Sequence, residues 1–166
     1  GKPTKTILDH ELQLNANQFL PTSAGLIPTG KKEEVKGTPM DFTKPIRIGE
    51  RIKNNFEPLK IGNGYDHCWV IQEKGSGNLR KTAIVHDPKS GRILEVKTDQ
   101  PGLQFYSGNF LPRKHTGLCL ETQAFPDSPN QPDFPNTILR PGETYSHTCV
   151  FKFSTSSHYL PSLEGS

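Results

Sequence analysis

The sequence has little of what secreted, membrane-spanning or disulfide-rich proteins need. Only 31% of its 166 residues are hydrophobic, and no apolar run approaches the ~20 residues of a membrane span. The three cysteines lie far apart and no Asn-x-Ser/Thr glycosylation site is present, which together favour a reducing compartment. The first five residues also lack the apolar stretch of a signal peptide. The composition therefore predicts a soluble cytoplasmic protein that does not act in a membrane.

Neither the charges nor the histidines point to a nucleic acid, a metal or a nucleotide. The net charge is +3, and the basic pair Lys31-Lys32 is followed at once by Glu33-Glu34, so no basic stripe is available for nucleic acid. The six histidines form no His-x-His or His-x-x-x-His pair, and a metal site is unsupported. Gly-x-Gly-x-x-Gly, phosphate-loop and Gly-x-Ser-x-Gly motifs are absent as well. The residues therefore give no support for a metal ion or a nucleotide cofactor.

Glycine and proline are what the chain has in quantity, with 15 of each. Spread along the sequence, they separate many short segments, which favours an all-β architecture over a helical one. One short helix is predicted over residues 48–56, ended by Pro58. Alternating or continuous apolar patterns predict strands, including a hairpin, at residues 8–14, 69–71, 82–98, 103–107, 118–123 and 145–153. We expect one antiparallel β-sandwich domain over residues 1–153, with a long loop at 124–141 and a polar tail at 154–166.

Three polar residues in or beside these strands are candidates for chemistry. Glu121 lies in the strand 118–123, where alternation puts it on the face opposite two leucines, and this position is typical of a carboxylate that faces solvent. Asp66 precedes an apolar strand and has the position of a turn carboxylate that caps backbone N–H groups. Gln104 is compatible with an ordinary polar strand residue. Taken singly, none of the three names a function.

Taken together, six segments in order are far more specific, because they resemble the motifs of the aldose 1-epimerase (galactose mutarotase) family. The resemblance covers nearly the whole chain, from about residue 9 to residue 153. Its segments read LIPTG at 26–30, GTPMDF at 37–42, GYDH at 64–67, SGRILEV at 90–96, QPGLQFYSGNFL at 100–111 and GLCLETQAFPD at 117–127.

The resemblance implies a fold and a mechanism. The family fold is a large two-sheet β-sandwich that holds a free hexose, such as galactose or glucose, on one open face. Its reaction opens the pyranose ring and closes it on the other face of C1 by paired acid–base catalysis, without a cofactor, a metal or a covalent intermediate. Glu121 corresponds to the general base on the C1 hydroxyl. Asp66 and Gln104 correspond to groups that bind sugar hydroxyls.

The sequence also departs from the family pattern. The family's general acid is a histidine in a His-x-Tyr-Phe-Asn-Leu segment, which would lie before residue 7, so the N-terminal part of the sandwich is expected to be missing. The residues between Leu111 and His115 are fewer than usual, and this loop is short enough to shift the strand that carries Glu121. Cys68-Trp69 stands where Asn-Phe is more usual. Neither His67, which alternation directs away from Asp66, nor His115 offers a clear replacement for the acid.

Three interpretations remain open at this stage. The chain is a partial aldose 1-epimerase, a non-catalytic sugar-binding module of the same fold, or an inactive fragment with unpaired sheet edges that folds poorly. The first two differ in whether an upstream histidine segment exists, and the third predicts no cooperative unfolding transition. The preferred hexose and the oligomeric state are not encoded in any pattern found here.

Overall fold

The computed structural model describes residues 5–72 and 79–156, which form two antiparallel β-sheets. The strands and α-helices are β1 (Glu11–Leu14), β2 (Gln18–Leu20), β3 (Glu33–Glu34), β4 (Ile46–Arg47), α1 (Ile48–Arg51), α2 (Glu57–Gly62), β5 (Asp66–Val70), β6 (Arg80–Asp87), β7 (Arg92–Thr98), β8 (Gly102–Tyr106), β9 (Cys119–Gln123) and β10 (Cys149–Thr155). The first sheet has the strand order β10-β7-β6-β1-β4 and the second has the order β3-β2-β5-β8-β9.

The core lies between the two sheets, because strands of both contribute alternate side chains to a single apolar cluster. Leu12 and Val85 come from the first sheet, and Trp69 and Leu103 from the second. The ring of Phe42, from the segment before β4, packs on Trp69 with centroids 6.0 Å apart. The indole N–H of Trp69 donates to a backbone carbonyl 3.0 Å away, so the buried ring leaves no unpaired donor. The predicted all-β sandwich is confirmed.

The hairpin predicted at 82–98 is formed by β6 and β7, with its turn at residues 87–91. Asp87 holds the turn, accepting hydrogen bonds from the Lys89 amide at 3.1 Å and the Ser90 hydroxyl at 2.6 Å. Gly91 closes it with a φ of 69°, a conformation that glycine adopts without steric cost. Both the strands and the turn chemistry of this prediction are therefore confirmed.

The helix prediction at 48–56 was wrong in its extent and in the role of Pro58. Helix α1 ends at Arg51, and a second helix, α2, begins at Glu57 with Pro58 in its first turn. Proline is accommodated there because the first N–H groups of a helix have no intrahelical partner. Pro58 therefore starts a helix that the sequence analysis did not predict. None of the helices among residues 5–72 and 79–156 is long and apolar enough to cross a membrane.

The last predicted strand, at 145–153, also differs from the structure. Strand β10 begins only at Cys149 and continues through Thr155, beyond the predicted end of the domain at residue 153. It pairs with β7 and lies at the edge of the first sheet, where Phe151 and Phe153 are exposed. The alternation of apolar residues predicted a strand correctly here, but not which face would be covered. Residues 157–166 of the predicted tail lie outside the described residues.

Candidate active site

The outer face of the second sheet carries the candidate site. Along β5, β8 and β9 the side chains alternate, so that His67, Phe105 and Leu120 enter the core while their neighbours point outward. We call the outward-pointing set the site face; it comprises Asp66 and Cys68 of β5, Gln104 and Tyr106 of β8, and Cys119, Glu121 and Gln123 of β9. Alternation therefore gives one continuous polar surface from three adjacent strands.

Strand register brings the three predicted site residues together. Gln104 lies directly opposite Glu121 in the β8–β9 pair, and Asp66 lies opposite Tyr106 in the β5–β8 pair. Glu121, Asp66 and Gln104 all line one cavity of about 370 Å³. A cavity of this size is in the usual range for small-molecule sites. Asp66 and Glu121 are 55 positions apart in the sequence, and the fold brings them and Gln104 to one candidate site.

Asp66 and Gln104 are joined directly. Nε2 of Gln104 donates a hydrogen bond of 2.9 Å to Oδ1 of Asp66, and both side chains are partly buried. A hydrogen bond to an ionised acceptor is stronger than one between neutral groups, so this contact fixes both side chains. The amide is thereby oriented with its N–H side toward the carboxylate.

A tight turn before β5 sets the position of Asp66. Asn63 ends α2 in the left-handed conformation, and Gly64 follows with a φ of 133°. A Cβ atom at Gly64 would collide with the side-chain oxygen of Asn109. The buried Asn109 amide in turn donates to the carbonyls of Gly62 and Tyr65, at 2.8 and 2.9 Å. The Asn109 side chain thus joins the turn to the segment after β8, and Asp66 follows the turn directly.

Glu121 is exposed on β9, at the edge of the second sheet, with Leu120 buried behind it. The solvent-facing orientation considered from alternation is thus correct, and the Glu121 side chain lines the cavity. Partial burial raises the pKa of the neighbouring Cys119 thiol, and the charges of Glu121 and Asp66 raise it further. The negative charges of two carboxylates therefore both disfavour the thiolate of Cys119.

The shortened loop between β8 and β9 is compatible with regular pairing of the two strands. The strand pairing is unbroken over five residue pairs, from Gly102–Gln123 to Tyr106–Cys119. Gly108 turns the chain with a φ of 70°, and the amide of His115 donates to its carbonyl at 3.0 Å. The loop thus closes on itself beyond the end of the strand pair, and the expectation that its shortness shifts the strand stays a prediction.

The two histidines considered as replacements for an acid are both engaged in the structure. The imidazole of His67 is fully buried against the rings of Phe19 and Trp69, at centroid distances of 6.1 and 6.4 Å. This burial lowers its pKa to about 4, so the ring is neutral at physiological pH. Nδ1 of His115 lies 2.7 Å from the carbonyl oxygen of Ser107, to which it donates. His67 is among the residues that line the cavity, whereas His115 is not.

The remaining walls of the cavity were not predicted. Leu26 and Pro28 come from a loop that an isolated bridge between Thr22 and Pro28 closes, and no spacing in the sequence signals this contact. The place of Tyr106 in the cavity could have been predicted, because Tyr106 lies two residues after Gln104 and on the same face of β8. Cys68 lies between the cavity and a small apolar cluster with Leu20, Phe125 and Phe134, and burial raises its thiol pKa to about 12.

Among residues 5–72 and 79–156, no group of three His, Cys, Asp or Glu side chains could hold a metal ion.

Comparison with known proteins finds relatives of one family. The sequence model of the family described as "Aldose 1-epimerase" matches residues 1–152. The chain is 45% identical to the galactose mutarotase of Bos taurus over 167 residues, covering 94% of this chain and 47% of that protein. It is 44% identical to the galactose mutarotase of Homo sapiens, over the same shares of each chain. It is 38% identical to the aldose 1-epimerase of Escherichia coli K12, covering 89% of this chain and 45% of that one.

Solved structures give the same result. A GalM/aldose epimerase homologue from C. elegans superimposes with a TM-score of 0.80 at 25% identity, over 93% of this chain and 48% of that one. Galactose 1-epimerase from Lactobacillus acidophilus superimposes with a TM-score of 0.78 at 28% identity, over 91% and 45%. The chain spans about half the length of the curated relatives it matches.

Proposed function

The chain belongs to the aldose 1-epimerase family, and on this premise we propose that it takes part in interconverting the α and β anomers of free hexoses. The observation that carries the proposal is the shared cavity of Glu121, Asp66 and Gln104. Three side chains of the type that the reaction needs meet there, on adjacent strands, with a hydrogen bond between two of them. Nothing in the cavity favours a different chemistry.

Glu121 is proposed as the general base. Its carboxylate accepts the proton of the C1 hydroxyl while the bond between C1 and the ring oxygen breaks, which gives the open-chain aldehyde. The ring oxygen takes up a proton from a general acid. Rotation about the C1–C2 bond and closure on the opposite face of C1 reverse both transfers and give the other anomer. Two protons move and no electrons are exchanged, so the cycle uses no redox cofactor.

Asp66 and Gln104 are proposed to hold the sugar in place. A carboxylate has about four acceptor positions. Its bond to Nε2 of Gln104 uses one of them, so the Asp66 group retains capacity for the O–H groups of a hexose. Charge-assisted bonds of this kind are roughly twice as strong as neutral ones and fix the ring relative to the base.

The proposal concerns the whole protein and its compartment as well as this chain. The resemblance assigns the general acid to a histidine in a segment that has no counterpart in residues 1–166. Residues 5–72 and 79–156 supply the proposed base and the hydroxyl-binding groups. Galactose and glucose are the proposed substrates. The free thiols of Cys68, Cys119 and Cys149 fit a reducing compartment, and a cytoplasmic location is part of the proposal.

Polarimetry tests the proposal. The optical rotation of fresh α-D-galactose is followed to equilibrium with the protein and with its Glu121→Gln variant. Acceleration above the buffer rate, reduced about 10²- to 10⁴-fold in the variant, supports the assignment of Glu121 as the base. Since Glu121 is exposed, both proteins should show the same cooperative thermal transition. Equal acceleration above the buffer rate by the two folded proteins would refute the assignment of Glu121 as the base.

A further inference from the structure

Two aromatic rings stand together at the mouth of the cavity. Tyr106 and Phe110 both line it, with ring centroids 6.3 Å apart and ring planes only 15° from parallel. The Phe110 side chain is 61% exposed. Phe153 is even more exposed, at 77%, but it lies at the edge of the first sheet, so exposure alone does not distinguish Phe110. What distinguishes Phe110 is its place beside the cavity and its stacked partner.

The backbone that carries the Phe110 ring is held by two sets of hydrogen bonds. Its backbone N–H donates a hydrogen bond of 2.8 Å to the hydroxyl of Tyr106. The preceding residue, Asn109, is fully buried and its amide is bound to two backbone carbonyls. The backbone that leads into Phe110 is thus fixed, and the exposed aromatic side chain stands beside a polar cavity.

The lining of the cavity therefore includes two chemically different kinds of surface. Asp66, Gln104 and Glu121 supply acceptors and donors, whereas Tyr106 and Phe110 supply apolar ring surface. A hexose has the same division, with hydroxyls around its ring and C–H groups on its faces. In galactose the hydroxyl at C4 is axial, so the hydrogens on C3, C4 and C5 all lie on the same face of the ring. Those hydrogens carry partial positive charge, and the face of an aromatic ring is negative.

We propose that Phe110, backed by Tyr106, is a stacking platform for the C–H face of the hexose and that it favours galactose over glucose. The inference rests on the proposed function, since it names the surface that receives the same substrate. Hydroxyls bound to Asp66 and Gln104 fix one edge of the sugar, and the ring of Phe110 supports its apolar face. Glucose, with an equatorial hydroxyl at C4, presents a less continuous C–H face to the platform.

Binding measured by saturation-transfer NMR tests the platform in the whole chain. The probes are D-galactose and D-glucose, and the proteins are the wild type, Phe110→Ala, Phe110→Leu, Phe110→Trp and the matched control Phe153→Ala. We expect Phe110→Ala and Phe110→Leu to weaken galactose binding about three- to tenfold, the usual range for one aromatic contact. Phe110→Trp and Phe153→Ala should retain binding. In the wild type, irradiated aromatic protons should transfer saturation most strongly to H3, H4 and H5 of galactose.

The outcomes separate the platform from the proposed function. Unchanged galactose binding in Phe110→Ala, or an equal loss for galactose and glucose, overturns the platform. So does a wild type that binds neither sugar. Binding that depends on Phe110 without any polarimetric acceleration overturns the anomer interconversion and leaves the platform in place. Leucine keeps apolar area but has no ring, so a Phe110→Leu variant that binds like wild type also refutes stacking.

Discussion

The amide of Gln104 and the carboxylate of Asp66 are joined by a hydrogen bond of 2.9 Å across the site face. The bond links β8 to β5 and leaves Gln104 opposite Glu121 on β9. Gln104 thus connects the proposed sugar-binding carboxylate of Asp66 to β8, the strand that pairs with the one carrying the proposed base, Glu121. The geometry of the cavity depends on this contact.

Replacing Gln104 with methionine tests this dependence, because methionine keeps the length of the side chain but cannot donate. We expect galactose binding to weaken about tenfold, since a hydrogen bond to a charged group contributes about 1.5–3 kcal/mol. Gln18→Met is the matched control, as Nε2 of Gln18 donates to a Glu34 carboxylate at 2.8 Å outside the cavity. Titration calorimetry on both variants decides the point. Equal affinities in the two variants would contradict the role given to Gln104.

The Gly64→Ala substitution should destabilise the protein and disturb the site. It places a Cβ atom against the side chain of Asn109 at a φ of 133°. Gly37→Ala is the control, because Gly37 has a φ of 77° with nothing within 4 Å of its Cβ position. We expect a loss of about 2 kcal/mol or more for Gly64→Ala and about 1 kcal/mol for Gly37→Ala in urea unfolding. Similar losses in both would mean that Asn109 adapts and that crowding does not fix the turn.

The stability of the fold should fall in mild acid because of His67. Burial lowers its pKa to about 4 in the folded state, from the ordinary 6.5. Above pH 6.5 both states are neutral, and between pH 6.5 and 4 only the unfolded state takes up the proton. The free energy of unfolding should therefore decrease by up to about 3 kcal/mol over this range. Urea unfolding at pH 7.5 and 4.5 measures it, and a His67→Gln variant should lose this part of the pH dependence. A wild-type curve parallel to that of the variant would refute the assignment to His67.

The thiol of Cys119 reports the charge in the cavity. Its pKa is raised by burial and by the charges of Glu121 and Asp66, whereas burial alone raises that of Cys68 to about 12. In Glu121→Gln the Cys119 pKa should fall, and alkylation by iodoacetamide at pH 8 should become about twofold faster or more, since the thiolate is the nucleophile. Mass spectrometry follows each site, with the buried Cys68 as the slow reference. No change in the Cys119 rate would show that the two side chains do not interact.

Local patterns in the sequence predicted much of this architecture. The β6–β7 hairpin followed from two apolar runs around a turn rich in Asp, Pro, Ser and Gly, and the two faces of β8 followed from alternation. Glu121, Asp66 and Gln104 were identified by resemblance to family motifs, since each alone is compatible with an ordinary surface residue. Their meeting in one cavity is consistent with that identification but does not test their roles.

The errors arose where a local pattern is compatible with two outcomes or where distant contacts decide. Pro58 was interpreted as a stop because a proline ends an existing helix, but at the first turn the same residue is accommodated. The apolar alternation of β10 cannot say whether another layer covers Phe151 and Phe153. The wall formed by Leu26 and Pro28 comes from a loop far from β8 in sequence, so only the folded chain brings it to Gln104.

The alternation of β9 has a further consequence for the fidelity of folding. A slip of one residue in the pairing of β8 with β9 would turn Glu121 into the core and move the buried Leu120 into water. Such a misaligned strand would bury an unpaired charge and lose apolar contact at the same time. The burial of Leu120 thus stabilises the register that leaves Glu121 on the site face. A chain with its proposed base misplaced by one residue is disfavoured during folding, before any sugar binds.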